Sequence, residues 1–138
     1  STDEGVQTTY YQDFDGDGYG DISVTSQDCS TPLGYATNSI DCYDFNVYVY
    51  PGQTGFFTTN RGDGSYDYDC DGLESQFSTQ SGSCDWLDFC GLDDAGWNGT
   101  IPDCGDTGDF MYSDSDCSYG CWGLCCDKGG DTRTQSCR

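Results

Sequence analysis

Apolar positions recur with a clear period in only a few places along this chain. Thr8-Thr9-Tyr10-Tyr11-Gln12 gathers strand formers, and Ile22-Ser23-Val24-Thr25 alternates apolar with polar residues. Each predicts a short strand, with a polar loop between them. Asn46-Val47-Tyr48-Val49-Tyr50 predicts a short extended or one-turn segment, stopped by Pro51-Gly52, and residues 55–59 predict another short strand. Residues 1–7 form a polar lead-in. No convincing amphipathic helix is predicted; residues 73–80 and 85–90 are at best short ones. Turn residues fill most of what remains, so the expected fold is small and largely irregular, with short β-strands.

Composition raises the question of what holds such a fold. Leu, Ile, Val and Phe number only 19 of 138 residues, and 25 acids face 4 bases for a net charge of −21. Those values would ordinarily predict disorder. Eleven cysteines and 21 aromatic residues change the picture, because staples replace an aliphatic core in small folds. So many cysteines without a histidine point to an oxidising, extracellular setting or a cell surface. Cys84, Cys90, Cys104, Cys117, Cys121, Cys125, Cys126 and Cys137 crowd the second half. Two regions are therefore expected: an Asp-rich one over residues 1–80 and a Cys-rich, disulfide-knotted one over 81–138. Cys29 and Cys42 are candidate partners, since a loop of that size closes readily; Cys70 stands inside the acidic stretch. An odd number of cysteines leaves one free, capped by a small thiol, or bonded to a neighbouring molecule. The spacing Cys117-x3-Cys121-x3-Cys125-Cys126 lacks the paired knuckles of a zinc ribbon.

The acids are also unusual in kind: 23 are Asp, and only Glu4 and Glu74 are Glu. Asp favours turns and caps over helices, so it suits oxygen-ligand loops. Residues 13–21 read Asp-Phe-Asp-Gly-Asp-Gly-Tyr-Gly-Asp. Asp13, Asp15 and Asp17 alternate, so a curling backbone turns their carboxylates toward one centre. Tyr19 falls where an EF-hand-like loop offers a carbonyl, and Asp21 where it offers a direct or water-bridged oxygen. The expected cofactor is Ca²⁺. The twelfth position, which needs a bidentate acid, is Val24, so other residues must complete the site. A second trio, Asp67, Asp69 and Asp71, precedes Gly72 and suggests either a second ion or a closing half of the first site. Asp63 is assigned to that second group, which also explains the Arg61-Gly62-Asp63 tripeptide without a receptor. Asp103, Asp106, Asp109, Asp114 and Asp116 read as a solvated loop before they read as a third site.

The run from Tyr10 to Gly52 has the loop, then a cysteine, a Pro/Gly-rich spacer ending in Asn38, then Asp41-Cys42-Tyr43-Asp44 and a final Tyr50-Pro51-Gly52. This pattern resembles the MopE-type metal-binding repeat of secreted bacterial surface proteins, similar in style to thrombospondin type 3 calcium repeats. Asp67-Tyr68-Asp69-Cys70-Asp71-Gly72 is similar to the element that often ends such repeats, so the resemblance covers about residues 8–75. It implies that Asp13, Asp15, Asp17, Tyr19 and Asp21 are loop ligands and that Asp41 and Asp44 are distal ligands. A Cys29–Cys42 bridge would then deliver Asp41. Copper, named for some members, fits poorly with no histidine and the single Met111.

Catalysis finds little support, since no histidine is present to build a nucleophile–base pair and the only lysine is Lys128. Strong acidity argues against nucleic acid, and no apolar run is long enough to insert in a membrane. The chain begins with neither an initiator Met nor a signal peptide, so a processed or excerpted extracellular piece is expected. Asn98-Gly99-Thr100 is the single N-glycosylation sequon. Trp86, Trp97 and Trp122 serve more readily as a substitute core than as a glycan platform. The expectation is a non-enzymatic, calcium-stabilised structural module, acting as a spacer or as a self-associating subunit of a filament or matrix. The alternative is a calcium-dependent, glycan-binding adhesion module.

Overall fold

The computed structural model describes residues 5–85, 90–121, 124–127 and 129–138, with backbone alone at 119–121 and 124–127. Its regular elements are short antiparallel strands and one 3₁₀ turn; no α-helix occurs among the described residues. The expected small, nearly all non-helical fold with disulfides is what forms. No helix is long and apolar enough to cross a membrane among these residues. The chain separates into two compact units. One comprises residues up to Gly55, Asn60–Ser75 and Arg138; the other comprises Phe56–Thr59 and Gln76–Cys137.

In the first unit, β1 (Thr8–Gln12) pairs with β2 (Asp21–Asp28) on one side and β3 (Tyr35–Ala36) on the other. β1 and β2 form a hairpin in register from Thr8↔Asp28 to Tyr11↔Thr25, and the register then jumps to Gln12↔Asp21. The acidic loop 13–20 is the connection of that hairpin. The two strands read from their Thr, Tyr, Ile and Val residues therefore form, and the loop lies between them as expected. Residues 46–50 take the turn form, with the Val49 amide bonded to the Asn46 carbonyl at 2.7 Å. Among the described residues of this unit, Val49 is the one branched aliphatic side chain that is buried, beside Tyr10, Ala36 and Tyr68.

The second unit contains more regular structure than its composition suggests. β6 (Gly96–Trp97), β7 (Thr107–Met111) and β10 (Asp131–Thr134) make one sheet in the order β10-β7-β6. β4 (Ser83–Asp85) pairs with β5 (Gly91–Asp94), and β8 (Cys117–Cys121) with β9 (Leu124–Asp127). These strands run from two to five residues, too short for any period to announce them. Residues 55–59 are not the strand expected; only Phe57 makes a bridge, to Cys137. Residues 73–80 contain no helix, and the possible helix at 85–90 falls largely outside the described residues. Trp97 is 3 % exposed and packs edge-on against Phe110 at 5.1 Å, with its indole N–H bonded to the Ser78 carbonyl. It is core, as read; Trp86 and Trp122 lie outside the described residues.

Three disulfides with both partners described staple these units: Cys42–Cys70 in the first, and Cys84–Cys117 and Cys104–Cys137 in the second. They span 28, 33 and 33 residues. Loops of that size stabilise by roughly 3–4 kcal/mol each in the chain-entropy account. Cys90 is also disulfide-bonded. The side chains of Cys121, Cys125 and Cys126 lie outside the described set. Several disulfides indicate an oxidising, extracellular-type environment.

The pairing of Cys29 with Cys42 is overturned: Cys29 is a free, exposed thiol, and Cys42 bonds Cys70. The reason lies in the strand between them. Asp41 bridges Asp21 at the loop end of β2, whereas Cys29 follows the far end. Eight strand residues carry Cys29 roughly 25 Å away at about 3.3 Å per residue. A flexible loop would have closed; a paired strand does not bend back.

Candidate metal centre

The hairpin loop winds around its own carboxylates. Asp13 Oδ1 accepts from the Gly16 amide at 2.8 Å, and Asp13 Oδ2 from the Gly18 amide at 3.2 Å. Asp15 Oδ1 accepts from Asp17 N, and Asp17 Oδ1 from Tyr19 N. Gly16 and Gly18 sit at φ 83° and 93°, a region that side chains with a Cβ rarely adopt, so Asp-Gly alternation is what lets the loop curl. Gly20 is required for another reason: a Cβ there would lie 2.6 Å from Tyr11 Cβ and 2.7 Å from the Asn38 carbonyl.

Asn38 locks that close approach. Its amide nitrogen donates to the Gly18 carbonyl at 2.9 Å, and its side-chain oxygen accepts from Gly20 N at 3.3 Å. No ligand reading singled out Asn38, although its place at the end of the spacer was visible. Asp41 then arrives through its own backbone, bonded to the Gly20 carbonyl at 3.2 Å, and needs no Cys29 bridge. Asp44 is drawn in by the Phe14 amide, which donates to its Oδ1 at 2.7 Å.

Two overlapping trios result. Asp13, Asp15 and Asp17 bring one oxygen each within 4.8 Å of one another, and so do Asp15, Asp41 and Asp44. That span is about twice a cation–oxygen distance of ~2.4 Å, so such a trio can ring one ion. Asp41 and Asp44 are 8 % and 5 % exposed. Asp15 Oδ2, Asp17 Oδ2 and Asp41 Oδ2 are buried and accept no hydrogen bond. Buried carboxylate oxygens of that kind are costly and rare unless something positive meets them. Burial pushes the Asp17 carboxyl up to about 6, and its carboxylate neighbours add to the rise. Asp15, Asp41 and Asp44 are raised in the same way, burial first and neighbouring charge after it. The donor set is all oxygen, which suits a hard cation.

Asp21 and Tyr19 are placed differently. Both Asp21 oxygens accept from Ser23, at 2.7 Å each, so it flanks the trios without joining them. Asp21, Asp41 and Asp44 nevertheless line one small cavity of about 130 Å³ with Tyr43 and Phe45. The Tyr19 ring stacks on Tyr50 at 5.8 Å, which pins the end of the loop.

The second acidic group also assembles, with Asp67, Asp69 and Asp71 within the same 4.8 Å. Its loop repeats the local logic: Asp67 accepts from Asp71 N and Gly72 N, each at 3.1 Å. The charge environment differs. Arg138 Nε lies 2.9 Å from Asp69 Oδ2, and Arg61 Nη1 lies 3.9 Å from Asp67 Oδ2. Asp63 does not join this trio; Arg61 clamps it through two nitrogens at 3.0 Å, which lowers its carboxyl below the usual range. With its side chain 11 % exposed, Arg61 is folded onto its own neighbour and presents no open tripeptide. The acids of the second unit form no trio among the described residues. Asp114 accepts from Leu92 N, and Asp116 from Tyr112 N and Ser113 N.

Comparison of the chain with family models, curated proteins and solved structures found no match.

Proposed function

We propose that this protein is an extracellular structural module whose first unit is completed by calcium at the Asp13–Asp15–Asp17–Asp41–Asp44 centre. The observation that supports it is the set of three buried oxygens, on Asp15, Asp17 and Asp41, that accept no hydrogen bond. At about 5 Å, two ionised carboxylates repel by on the order of 3 kcal/mol at an effective dielectric near 20. Several such pairs rival a disulfide, so an ion-free first unit is under strain at neutral pH. Calcium accepts six to eight oxygens in irregular geometry, whereas magnesium demands a near-ideal octahedron and keeps its water. Crowded carboxylates with only a few buried open oxygens favour the former.

Among the described residues, Arg61 and Arg138 meet the second acidic group and no arginine meets the first. Asp69 Oδ1 is likewise buried without a hydrogen bond, but with Arg138 on its other oxygen, so the strong site is the first one. The chain acts mechanically: the ion rigidifies the loop and the disulfides hold the short strands. A spacer or a filament subunit suits those properties, and the exposed Cys29 thiol and the open edge of β2 offer two routes to a neighbour. Catalysis has no part in this reading. In the glycan-binding alternative, buried Trp97 cannot be the platform; exposed Phe14 and Phe45, 5.3 Å apart beside the centre, take its place.

Native mass spectrometry with and without a chelator tests the proposal. One tightly held calcium, lost together with a drop in melting temperature, is the expected result. A chain that binds no calcium and melts identically in both buffers would overturn it. Sedimentation with calcium and without reductant tests assembly; monomers alone would remove the filament reading.

A further inference from the structure

Arg133 is a cation without an anion in a chain of 25 acids. Its guanidinium lies over the Phe110 ring at 4.8 Å and the Tyr112 ring at 4.9 Å, and it pairs with no carboxylate among the described residues. The acids nearest in the sheet are engaged elsewhere: Asp131 accepts from the Tyr112 hydroxyl at 2.7 Å, and Asp109 from the Thr132 hydroxyl at 3.1 Å. A cross-strand cation–π staple explains the stacking. It does not explain why the same guanidinium borders a cavity of about 190 Å³ that Phe77, Trp97, Phe110, Gln135 and Ser136 also line.

That cavity has the parts of a small-ligand site. Phe77 is 68 % exposed and lines the cavity with its ring braced edge-to-face by Phe56 at 5.2 Å, while Trp97 and Gln135, 3 % and 1 % exposed, are fixed by bonds to the Ser78 carbonyl at 3.1 and 2.7 Å. Size limits the occupant. Drug-sized ligands need about 300 Å³ or more, whereas a cavity near 150 Å³ accepts one benzene ring. One six-membered ring fits. A planar carboxylate matches the guanidinium fork with two parallel hydrogen bonds, and a ring that carries hydroxyl groups suits a lining that includes the polar residues Ser78, Thr134, Gln135 and Ser136 beside the aromatic ones. We infer that this cavity in the second unit binds a single carboxylate-bearing sugar ring, a hexuronate, through Arg133 and the face of Phe77. The inference is independent of the metal centre.

The test is titration of the calcium-loaded protein with glucuronate, glucose and acetate, followed by NMR at the Trp97 indole N–H and the Gln135 side-chain amide. Glucuronate is expected to give saturable shifts in the millimolar range, with glucose and acetate weaker by about tenfold or more. Arg133→Gln should weaken glucuronate binding by a similar factor, and Phe77→Ala by a few-fold, with unchanged circular dichroism. Both side chains are exposed, so each variant keeps the fold and melts only slightly lower, through the lost contacts of Arg133 with Phe110 and Tyr112 and of Phe77 with Phe56. Absence of a saturable shift, equal binding of glucose or acetate, or retained affinity in Arg133→Gln would each overturn the inference.

Discussion

Asp41 holds one oxygen on the Tyr43 amide at 2.8 Å and leaves the other buried and unpartnered. Replacing it with Asn should therefore act in opposite directions in two buffers. With calcium, affinity is expected to fall by at least about tenfold, because a charged oxygen is lost from the ion. With chelator, Asp41→Asn should melt higher than the parent, because one repelling charge is gone; paired thermal scans check both signs. Asn38→Ala keeps every carboxylate but removes the side-chain bonds that tie the Gly18 carbonyl and the Gly20 amide to the spacer. It is expected to weaken calcium binding without changing stoichiometry, as calorimetry would show. The pH response follows from Asp17, raised to about 6 from 3.8. A raised carboxyl means that the ion-free folded chain keeps a proton that the unfolded chain has released. Ion-free stability should thus decline as pH rises from about 4 to 6, and the full penalty is present above 6. Calcium competes with that proton, so its affinity should weaken as pH falls through the same window. The Asp13, Asp15 and Asp17 cluster was legible because alternation and glycine reveal a curling loop. Asn38 was not, because its role depends on a contact 18 to 20 residues away.

At the scale of elements, the β1–β2 hairpin explains both the site and the misread disulfide. Strand pairing sets the loop between two fixed ends and sends Cys29 to the far one. Loss of the Cys42–Cys70 bridge in a double Ser variant should cost roughly 3 kcal/mol in denaturant unfolding, while Cys29→Ser should leave the midpoint unchanged. Alkylation of the native protein without reductant is expected to label Cys29. In the first unit, β1 and β2 were readable from Thr, Tyr, Ile and Val, whereas the two-residue β3 in the Pro/Gly-rich spacer was not. Those of the second unit were not, since β6 is Gly-Trp and β5 is Gly-Leu-Asp-Asp. Such segments have little strand preference of their own. Pairing and cross-linking to neighbours make them strands.

For the whole molecule, the two units are held by different means. The first relies on one described disulfide and the acidic loops; the second on at least two disulfides and the Trp97–Met111–Gln135 core. Removing calcium under non-reducing conditions should therefore raise amide exchange in residues 8–55 and leave β7 and β10 protected. Uniform protection throughout would show that the ion contributes nothing to order. Reduction, by contrast, is expected to loosen both units.

The sequence alone determined the classes of bonding: few aliphatics exclude an ordinary core, many cysteines demand cross-links, and Asp-Gly alternation builds oxygen-lined turns. These depend on composition and on neighbours a few residues apart, where chain stiffness and side-chain chemistry leave little choice. Tertiary structure decided which cysteines meet, which acids stay unpaired and which are met by arginine. Those outcomes rest on distances between residues far apart in the chain. Arg61 and Arg138 beside the second trio, and no arginine beside the first among the described residues, are what separate two stretches that look alike when read in line.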